Sequence, residues 1–217
     1  MNEVDVVSRP ILFSAPMVQA LLEGRKTQTR RVLKQEPEQC GLPIGTMCIE
    51  GEANNKVTVG NVITNQRCPY GKVGDLLWVR ENFAFNKEFD KYKPREVDDD
   101  ESVKYMADGE WIHRSDYYVI NLGKTRPNIF MPKWASRITL EITNIRVERL
   151  QDVSESDANA EGVFTPEIAY AQNGVRAGAL NYGALWEEIN GEGSWDKNPW
   201  VWVLEFEVYK CNFQELL

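Results

Sequence analysis

The chain contains one histidine, His113, in 217 residues. That excludes any site built on paired histidines. Its four cysteines, Cys40, Cys48, Cys68 and Cys211, include no Cys-x-x-Cys pair. Cys40, Cys48, Cys68 and His113 together would number four zinc ligands, but their spacing is irregular and matches no structural zinc motif. Free thiols in a reducing compartment are the simpler reading. His113 stands beside Arg114 in a polar stretch and reads as a surface residue rather than a general base. No metal and no cofactor is expected. No phosphate-cradling glycine loop and no Gly-x-Ser-x-Gly elbow is present. No apolar run is long enough to span a membrane, and Met1 to Arg9 is acidic and polar, without a signal-peptide pattern. A cytoplasmic protein with no membrane partner is expected. Internal repeats and low-complexity tracts are absent too. Cations are in short supply: 25 Lys and Arg against 33 Asp and Glu give a net charge of -8. A long polyanion such as a DNA duplex would be repelled over most of this surface.

Against that shortage, five of the basic residues (Arg25, Lys26, Arg30, Arg31 and Lys34) fall within ten positions that hold no acid. Cations concentrated in one place on an acidic protein point to a ligand. Thr27 and Thr29 sit among them. A lysine and a threonine held in a pocket can form a base and nucleophile pair. On a continuing strand, however, Lys26, Gln28 and Arg30 face one way and Thr27, Thr29 and Arg31 the other. Lys26 and Thr29 meet only if the chain turns between them.

The surrounding pattern is mainly β. Pro10 to Phe13 reads as a first strand. Ser14 can cap a helix Ala15–Glu23 with Pro16 in its first turn, and Val18, Leu21 and Leu22 make one buried stripe. Gly24 ends that helix, and the basic motif runs on into a strand, Thr27 to Leu33. Asp75 to Phe83 and Arg137 to Val147 read as strands. Ser154 caps a helix Glu155–Glu161, with Asp157 in its first turn, and Gly162 stops it. Tyr182 to Ile189 is a short helix. In the last strand, Val201 to Tyr209, the set Trp202, Leu204, Phe206 and Val208 is the expected core face. Length and composition fit one domain, 1–217, with insertions at about 35–70, 86–132 and 163–180. Lys56 to Ile63 supplies a strand and a turn in the first insertion. In the second, the acidic run Glu96 to Glu101 reads as a solvated loop, and Tyr105 and Trp111 as strand residues or a cover over the site.

Gly24-Arg25-Lys26-Thr27-Gln28-Thr29-Arg30-Arg31 resembles the signature of the ASCH domain family. Gly74 to Glu81, Val153 to Gly162 and Trp200 to Tyr209 are similar to that family's second strand, late helix and closing strand. Arg9 to Met17 and Asn198 to Trp202 are similar to its phage and prophage branch. The resemblance implies a PUA-like β-barrel with insertions and peripheral helices, an α+β fold. It also implies that Lys26, Thr29 and Glu161 match the lysine, threonine and glutamate used by N4-acetylcytidine amidohydrolase-type members. Arg31 matches the arginine that closes the motif, whereas Arg30 replaces an apolar residue.

Three functions follow. The first is an amidohydrolase acting on an N-acylated nucleoside or base. Thr29 attacks, Lys26 takes the proton and Glu161 holds Lys26; Arg25, Arg30, Arg31, Trp78, Arg80 and Glu81 contact substrate. The second is an RNA-binding module or ASCH-type ribonuclease, with Arg25, Arg30, Arg31 and Lys34 on phosphates and Trp78 on a base. The third is a phage accessory protein whose fold serves only as a scaffold. The modified nucleoside or RNA fragment is the expected partner in the first two.

Overall fold

The computed structural model describes residues 7–34, 38–39, 57–59, 62–64, 68–112, 121–163 and 177–216. In chain order these form β1 (Ser8–Leu12), α1 (Ala15–Leu22), β2 (Gln28–Val32), β3 (Glu38–Gln39), β4 (Val57–Val59), β5 (Val62–Thr64), β6 (Leu76–Arg80) and β7 (Phe83–Ala84). They continue with β8 (Val103–Tyr105), β9 (Trp111–Ile112), β10 (Thr139–Arg149), α2 (Glu155–Ala160), α3 (Ala177–Asn190) and β11 (Trp200–Tyr209). The fold is α+β, with strands predominating. The largest sheet has the strand order β1-β6-β10-β11-β2, and no closed barrel is found among the described strands.

The residues group into two compact units, each assembled from separate stretches of chain. The first comprises Met1–Gly24, Asp75–Glu141 and Val208–Leu217. Here β1 runs parallel to β6, with Ser8 opposite Leu76 and Leu12 opposite Arg80. The start of β10 pairs antiparallel on the other side of β6, with Leu140 opposite Leu77. A strand with neighbours on both sides and both faces covered reads as a continuous apolar run, and Leu76, Leu77, Trp78 and Val79 are all buried. Before β6, Asp75 holds Arg9 at 2.9 Å. The three-stranded sheet β7-β8-β9 packs its own core of Phe83, Phe85, Val103, Tyr105 and Met131. Tyr105 and Trp111 are therefore strand residues. The expected Ser14 cap is not made: Ser14 has cap geometry but no side-chain hydrogen bond. Pro16 already removes one of the amides that a cap would satisfy.

The second unit comprises Arg25–Gly74 and Ile142–Glu207. β2 pairs antiparallel with β11, Thr29 opposite Leu204 and Arg30 opposite Val203. β4 and β5 form an antiparallel hairpin with β3 beside β5, so the Lys56–Ile63 stretch yields two strands rather than one. α3 starts at Ala177, earlier than the Tyr182 start read from the sequence, so the end of the expected 163–180 loop is helical. The rest of that loop, residues 164–176, lies outside the described residues. β11 departs from the expected one-sided pattern: Val201, Trp202, Val203 and Leu204 are all buried. Val201 and Val203 join Leu150, Val153, Tyr182 and Trp186 in one cluster, while Trp202 joins Leu33 and Val147 in another. Burying each valine contributes roughly 1.5–3 kcal/mol, so both faces of this end of the strand hold the unit together. Val208, placed on the core face by alternation, is only half-buried.

Candidate functional site

The site lies in the second unit and begins with two helix-end signals. Ser154 accepts from the Asp157 amide, and the Asp157 carboxylate accepts in return from the Ser154 amide, a full capping box at the start of α2. Gly162 closes the helix at φ +85°, a left-handed conformation that glycine adopts without strain. This places Glu161 at the end of α2, where the chain makes an antiparallel bridge to Lys26. The Thr27 amide donates to the Ala160 carbonyl at 2.8 Å, and the Phe206 amide donates to the Thr27 carbonyl at 3.0 Å. Lys26 is thus pinned between the end of α2 and β11.

Its ammonium is buried completely. Lys26 Nζ donates to Glu161 Oε2 at 2.7 Å and to the Glu161 carbonyl at 2.9 Å, and the Glu161 side chain is 2 % exposed. Burial lowers the Lys26 pKa by penalising the charged form; the Glu161 carboxylate opposes that shift, and the charges of Arg31 and Arg30 reinforce it. A buried lysine so placed can give up its proton more readily than one in water.

Arg30 shares the same carboxylate. Its Nη1 donates to Glu161 Oε1 at 3.2 Å and to Gln28 Oε1 at 2.6 Å, while its Nε donates to Glu148 Oε1 at 3.1 Å. The guanidinium lies 5.6 Å from the centre of the Tyr182 ring, and the Tyr182 hydroxyl donates to Glu161 Oε1 at 3.4 Å. Burial and the Glu161 charge push the Tyr182 pKa well up, keeping it a neutral donor. Beyond Glu148 the network continues through Arg146, which donates to Glu148 and Asp157 at 3.0 and 2.9 Å and also pairs with Glu205. Burial would raise the Asp157 pKa, but hydrogen bonds from Ser154 and Gln28, with the Arg30 charge, hold it down to about 2. Cations and anions alternate through the cluster, so its buried charges are compensated.

The other residues read from the sequence divide as follows. Arg25 is exposed and donates to the Gly162 carbonyl at 2.8 Å. Arg31 donates to the Arg30 carbonyl at 3.4 Å. Thr29 is buried at 1 %, and its hydroxyl has no hydrogen-bond partner among the described residues; it makes no bond to Lys26. Lys26, Gln28 and Arg30 all point into the Glu161 cluster, as strand alternation requires, and Thr29 is not part of it. Trp78, Arg80 and Glu81 belong to the first unit and have partners of their own. The Arg80 guanidinium covers the Trp78 ring at 4.4 Å. Glu81 takes a two-pronged pair from Arg137 at 2.8 and 3.0 Å, with Asp108 and Glu110 on the same guanidinium. Cys40, Cys48 and His113 lie outside the described residues, Cys68 and Cys211 are half-buried, and no metal-ligand cluster is found among the described residues.

Sequence reading missed Glu148, Arg146, Glu205 and Tyr182. The signal available was weak: Arg146 and Glu148 flank Val147 on one strand, a polar alternation that any half-exposed strand shows. Beside the cluster is a cleft of about 360 Å³ lined by Thr27, Gln28, Thr143, Ser156, Asp157, Ala160, Glu205 and Phe206. Lys26 and Glu161 do not line it, but each is one residue along the chain from a residue that does. Comparison with family models, with curated proteins and with solved structures gives no match.

Proposed function

We propose that the chain is an amidohydrolase that removes the acyl group from a small N-acylated nucleoside or base. One observation carries this reading: a fully buried lysine, its pKa lowered by burial and its amine gripped by Glu161, stands three residues before a buried threonine hydroxyl that has no partner among the described residues. In the proposed cycle Thr29 Oγ1 attacks the acyl carbon while Lys26 Nζ takes the hydroxyl proton. The amide C–N bond breaks, and Lys26 delivers that proton to the departing amine. Water, with Lys26 as base again, then releases the acyl group from Thr29. Glu161 positions Lys26. Because Thr29 faces away from the Glu161 cluster on β2, the first step requires the 26–29 segment to turn when substrate binds, so that Nζ exchanges its bond to the Glu161 carbonyl for one to Thr29 Oγ1. The adjacent cleft has a volume suited to a small ligand, and Thr27 and Thr143 line it with hydroxyls that can meet the edge of a base. Among the motif cations, Arg30 is committed to Glu161 and Glu148, which argues against its use as a phosphate clamp.

The test is hydrolysis of N4-acetylcytidine and related acylated nucleosides, followed by mass. Thr29→Ala and Lys26→Met each abolish turnover, and the double variant is no worse than either single one, because the two groups act as a unit. The rate rises with pH as Lys26 loses its proton. Full activity in Thr29→Ala would move the nucleophile to water. No turnover of any acylated nucleoside, together with salt-sensitive RNA binding lost in Arg25→Ala and Arg31→Ala, would give the function to RNA recognition instead.

A further inference from the structure

A second concavity, in the first unit, carries the opposite electrostatic sign to the chain as a whole. It is a groove of about 860 Å³ between residues 90–95 and 124–130. Among the described residues five cations line it, Lys91, Lys93, Arg95, Lys124 and Arg126, against one carboxylate, Asp90. Asp90 is already engaged: it accepts from the Lys124 amide at 2.9 Å and lies 4.0 Å from Arg126. Lys93 has Glu96 at 4.0 Å, while Lys91 lies over the Tyr92 ring at 5.0 Å. On a protein of net charge -8, this is a positive focus available to an anionic partner.

The same walls expose apolar groups. Tyr92, Ile129 and Phe130 line the groove at 44 %, 56 % and 59 % exposure, and Leu122, 47 % exposed, stands on the same chain segment. Large apolar side chains concentrated beside a groove mark an interaction site more than scattered ones do.

The groove is also preformed. Arg126 reaches across its floor to donate to the carbonyls of Phe89 and Tyr92 at 2.7 and 3.2 Å. The Lys124 ammonium donates to the Asp90 carbonyl at 2.6 Å. At Gly123 a Cβ would stand 2.6 Å from Asp90 Oδ1 and 2.8 Å from the Phe85 carbonyl oxygen, so the two walls approach as closely as they do only because this residue is glycine. Fixing the walls in advance lowers the ordering cost of binding.

We propose that this groove docks an acidic peptide segment of a partner protein, one that carries a bulky apolar side chain. The charge selects the acids, and Ile129 and Phe130 meet the apolar anchor. Nucleic acid is the less suitable occupant. A strand stacks successive bases on several aromatic faces, whereas Ile129 and Leu122 are aliphatic and Tyr92 has Lys91 over its ring and Phe89 tilted against it at 6.3 Å, which leaves Phe130 as a single stacking face.

The experiment uses the full chain and fluorescein-labelled peptides of the form Glu-Asp-x-x-Asp-Glu, with x drawn from Leu, Ile, Phe and Tyr. Binding is read by anisotropy, alongside matched peptides with lysine flanks and a labelled oligouridylate of equal length. The acidic peptides bind. Their binding weakens as salt rises from about 0.01 to about 0.15 M, where the Debye length shrinks from about 30 to about 8 Å. Phe130→Ser, and Lys91→Glu combined with Arg95→Glu, each weaken it about tenfold or more while the melting curve stays in place. Equal binding of the lysine-flanked peptides overturns the proposal. So does failure of the acidic set to bind folded protein, binding that the variants leave unchanged, or a preference for the oligouridylate.

Discussion

Replacing Glu161 by glutamine takes the carboxylate from two buried cations at once. Lys26 Nζ loses an ionic bond of 2.7 Å and keeps its bond to the Glu161 carbonyl, while Arg30 loses one of 3.2 Å and keeps Glu148. Removing one partner of a buried ion pair costs about 3–5 kcal/mol, because the remaining charge cannot reach water. For a chain of this length that is a fall in Tm of roughly 6–20 °C. Lys26→Met leaves a different remainder. Glu161 then still has Arg30 Nη1 and the Tyr182 hydroxyl at 3.4 Å, so the loss is nearer that of a charged hydrogen bond, about 1–3 kcal/mol. Glu161→Gln is thus the more damaging of the two. Its penalty also depends on pH. Burial lowers the Lys26 pKa in the folded chain, and loss of Glu161 lowers it further, below the unfolded value near 10.4. The folded chain then binds fewer protons than the unfolded one in that interval, so stability recovers as pH rises through it. Urea unfolding of both variants at neutral pH and again at about pH 10 measures the two effects. If Lys26→Met proves equally or more destabilising, or if the Glu161→Gln penalty stays constant with pH, the carboxylate is not what holds this cluster together.

Other outcomes follow from the same network and from the groove. Asp157, held at about 2, contributes stability that is complete above its unfolded value near 3.9 and is lost as pH falls through about 2. Asp157→Asn therefore flattens the acid limb of an unfolding-versus-pH curve, by about 3 kcal/mol at most, and an unchanged limb would place the acid sensitivity elsewhere. In the pH–rate profile of the proposed acyl-nucleoside hydrolysis, Glu161→Gln moves the rising limb toward acid because Lys26, the proposed base, loses its counter-ion; a shift toward alkali would contradict that role. Gly123→Ala pushes a methyl group against Asp90 and the Phe85 carbonyl, costing about 1–3 kcal/mol as overpacking. Thermal melting checks it, and a neutral result would show that the walls of the groove can yield.

Some of this protein is decided residue by residue along the chain. Ser154, Asp157 and Gly162 fix both ends of α2 through hydrogen bonds and backbone geometry reaching no further than a few residues, so the sequence alone locates that helix. Gly24, at φ +74°, ends α1 in the same local way. The basic motif is legible too, since five cations without an acid stand out in an acidic chain. Which carboxylates those cations meet is not a local matter. Alternation says that Lys26, Gln28 and Arg30 share a face, but only the packing of α2 and β10 brings Glu161 and Glu148 to that face, and they lie 131 and 118 residues along the chain from Arg30. Likewise β11 reads as one-sided because its alternation is strict, yet Val201 and Val203 are buried as deeply as Trp202, because α3 and the Leu150–Val153 segment cover the second face. Local preferences determine where an element starts and stops. What covers its faces, and which charges it must neutralise, depends on contacts between residues far apart in the chain, and these exist only once the tertiary structure has formed.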